Sequence, residues 1–208
     1  MFKFKREQKI YDISGVKVGG QPGQLPTVLI GSVFYHGHNV VKNEKTGEFD
    51  KEEVEKLLKV EEELSEETGI PRLVDICCSW PEAFTKYLDL VASVIDGPFT
   101  IDGTTAEVRK AGVKYVAEVG LSDRVVYNSI TPYTKNDEIE ALRDSGVKSA
   151  ILLTLNTKNP TIKGRLEVMD KLLRIATEAK IQNVLIDATV LDMPDPGPVS
   201  KVIYLVKE

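Results

Sequence analysis

Short apolar runs alternate with longer amphipathic stretches along most of this chain. The short runs are rich in β-branched residues and favour buried strands, and the longer stretches repeat apolar residues at helical spacing. This alternation predicts an α/β fold built from βα units. The predicted strands lie at 27–33, 72–76, 98–102, 124–129, 149–155 and 183–188. The predicted helices lie at 51–68, 80–95, 105–119, 136–145 and 163–180, with a sixth from Val199 to Glu208.

The first 25 residues do not follow this rhythm. Two short apolar runs flank Ser14 and Gly15, a pair that favours a turn, so this segment predicts a β-hairpin. We expect residues 1–25 to form a capping segment on the floor of a barrel domain that spans residues 26–208.

Six βα units predict an incomplete (β/α)8 barrel of the TIM type. Such a barrel takes about 250 residues, whereas this chain has 208. We therefore expect a barrel truncated after its sixth unit, at Glu208. Two alternatives stay open, a half-barrel completed by a second copy and an open doubly wound sheet. Exposed strand edges near 183–188 would favour a homodimer.

Four of the predicted strands end on a carboxylate or a carboxamide. RLVD ends at Asp75, FTID at Asp102, VVYN at Asn128 and NVLID at Asp187. In a parallel barrel the C-terminal strand ends surround one shared cavity. An acid at the end of an apolar strand is costly to bury without a partner. The four residues therefore predict a polar pocket for a ligand with matching donors.

The charge balance narrows the class of partner. The net charge is −5 and the pI is about 5.3, which argues against a nucleic-acid surface. No apolar stretch reaches the roughly 18 residues of a membrane helix, and the N-terminus lacks the apolar core of a signal peptide. We expect a cytoplasmic protein.

The cysteines and histidines raise the question of a metal site. Cys77 and Cys78 are adjacent, a spacing that rarely allows a disulfide. Together with His36 and His38 they could supply four zinc ligands. The irregular spacing argues against this combination, so we expect no metal and a loop histidine that packs against Tyr35.

Four segments carry a resemblance to a known family. They are ISGVKVGGQPGQLPTVLIGSVFYHGH, FTIDGTTAEVRKAG, RVVYNSITP and NVLIDATVLDMPDPG. With them the chain resembles the H subunit of tetrahydromethanopterin S-methyltransferase, among the pterin-dependent methyltransferases. The likeness runs over essentially all 208 residues.

The resemblance implies a (β/α)8 barrel that binds a reduced pterin at its C-terminal mouth. It also implies transfer of the pterin's N5 methyl group to the cobalt(I) of a corrinoid, which a partner protein of the same complex carries. The implied setting is methanogenesis, in a membrane-bound complex to which this protein would attach from the cytoplasm.

The pterin contacts that the resemblance implies are Asp75, Asp102, Asn128 and Asp187, with Asn128 and Asp187 as catalytic residues. Relatives place a further polar residue on a seventh strand, which the predicted elements do not include. The residue types suit the task. A carboxylate can accept two parallel hydrogen bonds from the amine and ring N–H of a pterin edge, and an amide can both donate and accept.

Several alternatives remain at this point. The methyl donor could be methyl-tetrahydrofolate, or the chain could be a truncated pterin-binding subunit without turnover. A dihydropteroate synthase would need a pyrophosphate site that the predicted elements do not supply. The basic residues expected near the mouth either are ordinary solvated side chains or meet the acidic tail of the pterin; they are Lys135, Lys158, Lys163 and Arg165.

Overall fold

A computed structural model describes residues 2–190 and 196–208. Asp192 and Asp195, which the sequence predicts as turn residues, lie outside these ranges. In chain order the strands are β1 (Ile10–Ile13), β2 (Val16–Gly19), β3 (Leu29–Val33), β4 (Val41–Asn43), β5 (Glu48–Phe49), β6 (Arg72–Cys78), β7 (Phe99–Gly103), β8 (Val125–Ile130), β9 (Ser149–Leu153) and β10 (Asn183–Asp187). The helices are α1 (Lys51–Thr68), α2 (Pro81–Val94), α3 (Ala106–Glu118), α4 (Asn136–Asp144), α5 (Ile162–Glu178) and α6 (Gly197–Lys207), with a 3-10 turn at Ser122–Arg124.

Six strands form one parallel sheet in the order β3-β6-β7-β8-β9-β10. This order follows the chain without reversal, which excludes the doubly wound alternative, because such a sheet reverses its strand order at a switch point. Strands β3 and β10 are the two edges. The described strands thus form a curled half-barrel; closure into an eight-stranded barrel stays a prediction.

Helices α1 to α5 cover the outer face of this sheet, and α6 packs against α5. Alternate residues of each strand point outward and pack against the helices, because side chains alternate across a strand. The largest of these fully buried strand residues include Ile76, Phe99, Ile101, Tyr127 and Ile130. None of the described helices combines the length and apolar composition that crossing a bilayer requires.

The predicted N-terminal hairpin is confirmed as β1 and β2. Its turn residues Ser14 and Gly15 have φ of 47° and 89°, the positive values that a tight two-residue hairpin turn requires. Ile13 of the hairpin packs with Leu73, Val126 and Ile151 on the inner face of the sheet. The hairpin therefore fills the N-terminal part of the inner face and leaves the C-terminal strand ends free.

A second small hairpin, β4–β5, follows β3 and is absent from the sequence prediction. Its turn contains Gly47 at φ 66°. A Cβ at this position would lie 2.7 Å from Ala83 Cα, so glycine lets the hairpin pack closely on α2. The signal in the sequence was the short Lys45-Thr46-Gly47 turn between two apolar positions.

Candidate functional site

The C-terminal half of the inner face is polar. Cys77 of β6 pairs in register with Asp102 of β7, and Asp102 pairs with Asn128 of β8. These three residues form one row across three strands. Asp75 stands one inward step earlier on β6, opposite Thr100 of β7. The strand alternation therefore brings three of the four predicted site residues together.

Asp75 lies at the centre of this polar cluster and is only 6% exposed. Its Oδ2 accepts hydrogen bonds from Ser32 Oγ at 2.8 Å and from Cys77 Sγ at 3.3 Å. Its Oδ1 accepts from Asn128 Nδ2 at 3.3 Å and from the hydroxyl of Thr100. One carboxylate thus joins side chains from four neighbouring strands.

Asp102 is linked to Asp75 through the Cys77 thiol, whose Sγ lies 3.6 Å from Asp102 Oδ2. Burial, and then the nearby charge of Asp75, raise the pKa of Asp102 to about 6. Burial and the same two carboxylates raise the pKa of the Cys77 thiol far above its ordinary value. The thiol therefore stays protonated and can donate its single proton to either acid, while Asp102 changes charge near pH 6.

Asn128 is placed by an irregularity of β8. The register shifts between Asn128 and Ile130, which leaves Ser129 as an extra residue opposite β9. As a result Ile130 packs outward into the core although it follows Asn128 by two residues. The amide oxygen of Asn128 has no hydrogen-bond partner among residues 2–190 and 196–208, so it is available to a ligand.

A buried ionic network behind the sheet was not predicted. Arg109 of α3 pairs with Glu138 of α4 at 2.7 Å, and the Glu138 side chain is 2% exposed. Tyr127 of β8 hydrogen-bonds to both. Arg109 Nη1 also donates to the carbonyl oxygen of Gly103 at 2.7 Å. The sequence carried no signal for this network, because Arg109 and Glu138 are typical surface residue types on amphipathic helices.

Asp187, the fourth predicted residue, is not part of the cluster. It is exposed at the end of the edge strand β10 and pairs in register with Leu153 of β9. It lies two residues beyond Leu185, which packs with the hairpin on the inner face, so Asp187 is on that same face. Its Oδ1 accepts a 2.7 Å hydrogen bond from the backbone of Thr189. Among the described residues it makes no hydrogen bond to the cluster.

The basic residues predicted for the rim divide into two kinds. Lys135, Lys158 and Lys163 are exposed, as expected. Arg165 is 4% exposed and donates to the carbonyl oxygens of Ala188 at 2.8 Å and Pro160 at 3.2 Å. The expectation that Arg165 could meet an acidic tail is therefore wrong, since its guanidinium holds the backbone after β10 instead.

The four residues considered for zinc are not brought together. The two adjacent thiols point to opposite faces of β6, and Cys78 is buried in the core, where it donates to the Trp80 carbonyl. His36 Nδ1 lies 2.7 Å from a Glu44 carboxylate oxygen. The packing of a loop histidine is confirmed, because the His38 ring lies edge-on to Tyr35 with 4.7 Å between centroids.

The fold and this site define the class of the molecule, an α/β half-barrel with an acid and amide cluster at its parallel strand ends. Within that class, the sequence model of the family described as "Tetrahydromethanopterin S-methyltransferase MtrH subunit" matches residues 6–208. The chain belongs to this family.

Similar proteins bear matching names. The H subunit of tetrahydromethanopterin S-methyltransferase from Methanopyrus kandleri is 47% identical over 191 residues, covering 88% of this chain and 59% of that protein. The protein of the same name from Methanothermobacter thermautotrophicus is 44% identical, covering 91% of this chain and 64% of its own length. The H subunit of the "Putative methyltransferase mtx" from Methanosarcina barkeri is 43% identical, with 93% and 65% covered. The chain thus spans about three-fifths of the length of these curated relatives.

Proposed function

We propose that this chain is a methyltransferase subunit that binds methyl-tetrahydromethanopterin on the open inner face of its half-barrel. The N5 methyl group would pass to the cobalt(I) of a corrinoid carried by a partner protein. The observation that carries the proposal is the convergence of Asn128, and of Asp102 through Cys77, on Asp75, in the part of the inner face that the hairpin leaves free. The names of the relatives supply the pterin and the reaction class.

The ring of the pterin suits the two groups that stand in one row. Asp102, once ionised, can accept from the exocyclic amine and the neighbouring ring N–H. The free amide oxygen of Asn128 can accept a further N–H. A ligand without these donors would leave buried acceptors unpaired, which is a strong basis for discrimination.

Methyl transfer needs a proton as well as a binding surface. When the bond from the methyl carbon to N5 breaks, its electron pair stays on N5, which must be protonated by the transition state. General acid catalysis of this kind contributes about 10²–10⁴-fold. We assign Asn128 and Asp187 to the reacting end of the pterin: Asp187 would relay the proton to N5 through water, and the free Asn128 amide oxygen would accept the resulting N5–H.

The electron pair that attacks the methyl carbon belongs to cobalt(I), so no protein nucleophile is required. The contribution of the chain is placement of the donor and exclusion of water. A partner protein must therefore carry the corrinoid. We further propose that the chain attaches from the cytoplasm to a larger methyltransferase complex and that it forms a homodimer. The exposed Lys135, Lys158 and Lys163 would meet the acidic tail of the pterin.

The direct test is methyl transfer to cobalt(I) cobalamin in solution. Methyl-tetrahydromethanopterin and methyl-tetrahydrofolate would be compared as donors, and binding of each would be measured by calorimetry. Preference for the folate would move the assignment to the folate-linked methyltransferases. Binding without turnover by either donor would favour a pterin-binding subunit.

The site itself is tested by Asp102→Ala, with Asp170→Ala, an exposed acid on α5, as the matched control. We expect Asp102→Ala to lower the affinity for methyl-tetrahydromethanopterin at least about tenfold, because it removes the charge-assisted hydrogen bonds from the pterin edge. The control should bind like the wild type. Unchanged binding by Asp102→Ala would remove Asp102 from the site.

A further inference from the structure

Asp75 has a different position from the other acids at the strand ends. Its carboxylate lies one step deeper in the half-barrel and is almost fully buried, whereas Asp102 is half-buried and Asp187 exposed. It forms no ion pair among the described residues. What compensates its burial is the set of hydrogen bonds that it accepts.

That set fills the carboxylate. An ionised carboxylate offers about four acceptor sites, two on each oxygen. Ser32 and Cys77 donate to Oδ2, and Thr100 and Asn128 donate to Oδ1. With the thiol proton on Asp75, a ligand donor could reach this carboxylate only by displacing one of these four protein donors.

The hydrogen bonds from Asn128 and from Cys77 to Asp75 also fix the positions of groups in the site. Because Asn128 Nδ2 donates to Asp75, the amide of Asn128 is held with its nitrogen inward and its oxygen free. Because the Cys77 thiol lies between Asp75 and Asp102, the two acids are held close across β6 and β7. Asp75 thereby positions the Asn128 amide and the Asp102 carboxylate, the two groups that bind the pterin ring in the proposed function.

We infer that Asp75 is a positioning residue for the pterin site and makes no direct contact with the ring. It orients the Asn128 amide so that its oxygen is free to accept from the ligand. It also raises the proton affinity of Asp102, because its carboxylate lies beside that of Asp102. The inference rests on the proposed function and refines the role of one of its four residues.

Three titratable or charged groups of the described residues act on the pKa of Asp102. Asp75 and Cys77 face it from β6, and the Arg109 guanidinium acts on it from α3. Asn128, its neighbour on β8, does not titrate. Burial and Asp75 raise the pKa of Asp102, while Cys77 and Arg109 lower it. Removal of the Asp75 charge should therefore move the titration of Asp102 to lower pH.

The first experiment needs no ligand. The side-chain carboxyl ¹³C signals of Asp102 would be followed against pH in the wild type and in Asp75→Asn, which keeps the shape and removes the charge. We expect the midpoint of Asp102 to fall in Asp75→Asn and to stay in place in Ser32→Ala, which removes one donor but keeps the charge. If the titration midpoint of Asp102 is unchanged in a folded Asp75→Asn variant, the inferred effect of the Asp75 charge on Asp102 is wrong. Because the protein is ligand-free, this result is independent of the proposed function.

The second experiment separates positioning from contact. Affinity for tetrahydromethanopterin would be measured at pH 8, where Asp102 is ionised, in Asp75→Asn, Asn128→Ala and the double variant. If Asp75 acts through Asn128, each single change should weaken binding about tenfold and the double variant should be no weaker than Asn128→Ala within about twofold. Multiplying effects would mean that Asp75 does not act through Asn128, and this part of the inference would fail.

A third measurement uses only the wild type and so does not depend on whether Asp75→Asn folds. On titration with tetrahydromethanopterin, the carboxyl signal of Asp102 should shift strongly and that of Asp75 little. The reverse pattern would identify Asp75 as the ring contact. Shifts at neither residue, with binding intact, would place the pterin elsewhere and count against the proposed function.

Discussion

Arg109 Nη1 donates a 2.7 Å hydrogen bond to the carbonyl oxygen of Gly103, the residue directly after Asp102. The same guanidinium is held by Glu138, so a helix–helix ion pair behind the sheet fixes the end of a strand whose other face carries the site. A Cβ at Gly103 would lie 2.7 Å from Arg109 Cγ, which explains why glycine fits here.

The buried ion pair between Arg109 and Glu138 predicts a large effect on the free energy of unfolding. Glu138→Ala would leave the Arg109 guanidinium buried without its counter-charge, and breaking a buried pair typically costs about 3–5 kcal/mol. We expect the free energy of unfolding, from urea titration, to fall by about 3 kcal/mol. Glu140→Ala, an exposed acid of the same helix, should stay within about 0.5 kcal/mol of the wild type. Equal effects of the two changes would mean that the ion pair contributes nothing.

The pKa of Asp102 predicts a pH-dependent stability. Its native pKa of about 6 exceeds its ordinary value of 3.8, so the native state binds more protons between these values. Stability from this group is therefore complete below pH 4 and is lost as the pH rises through 6. Asp102→Asn should abolish this loss of folding stability at high pH, because asparagine does not ionise.

We expect Asp102→Asn to be about 1–2 kcal/mol more stable than the wild type at pH 8 and equal to it at pH 3.5, after allowance for partial exposure. Thermal or urea unfolding across this pH range provides the measurement. Asp170→Asn should follow the wild type throughout. A stability gain that does not vary with pH would contradict the assigned titration.

Gly112 of α3 predicts an effect of close packing. A Cβ there would lie 2.7 Å from Phe84 Cε1 and 3.0 Å from Ile101 Cγ2. Alanine is favoured over glycine in a helix by about 1 kcal/mol, but overpacking of a core costs about 1–3 kcal/mol. We expect Gly112→Ala to destabilise by about 1–2 kcal/mol. Gly97→Ala, where no atom lies within 4 Å of the added Cβ, should be neutral or slightly stabilising.

Substitution of Arg165 and of Lys158 should affect different properties, stability for the first and ligand binding for the second, although both residues follow β9. Arg165→Ala removes a buried donor from two backbone carbonyls, so we expect a loss of about 2–3 kcal/mol in stability. Lys158→Ala should leave stability unchanged. It should weaken binding of the complete coenzyme several-fold and binding of a pterin without the acidic tail not at all, as calorimetry would detect. Equal weakening of both ligands would place Lys158 away from the tail.

Local chemistry made most elements predictable. Helix α1 spans the predicted residues 51–68, because Asp50 caps its start and Gly69 ends it at φ 67°. Gly120 and Gly146 likewise have positive φ after α3 and α4. Other helix starts are marked less sharply. Thr105 caps α3 with its side chain, whereas Trp80 stands before α2 without a side-chain cap.

The candidate site was predictable in part for the same reason. A polar residue at the end of an apolar strand is visible in the sequence, and parallel strands bring such ends to one edge of a sheet. The depth of each residue was not visible. Asp75 and Asp102 look alike in RLVD and FTID, yet one is saturated by four donors and the other titrates near neutral pH.

The sequence by itself determined the α/β class, the strand ends that carry acids and an amide, and the hairpin that precedes them. Only the tertiary structure decided which of two adjacent thiols faces the site and which arginine is buried. It also decided that Asp187 stands apart from Asp75. The reason is physical: hydrophobic periodicity and capping act over a few residues, whereas these outcomes depend on strand register and on contacts between side chains far apart in the chain.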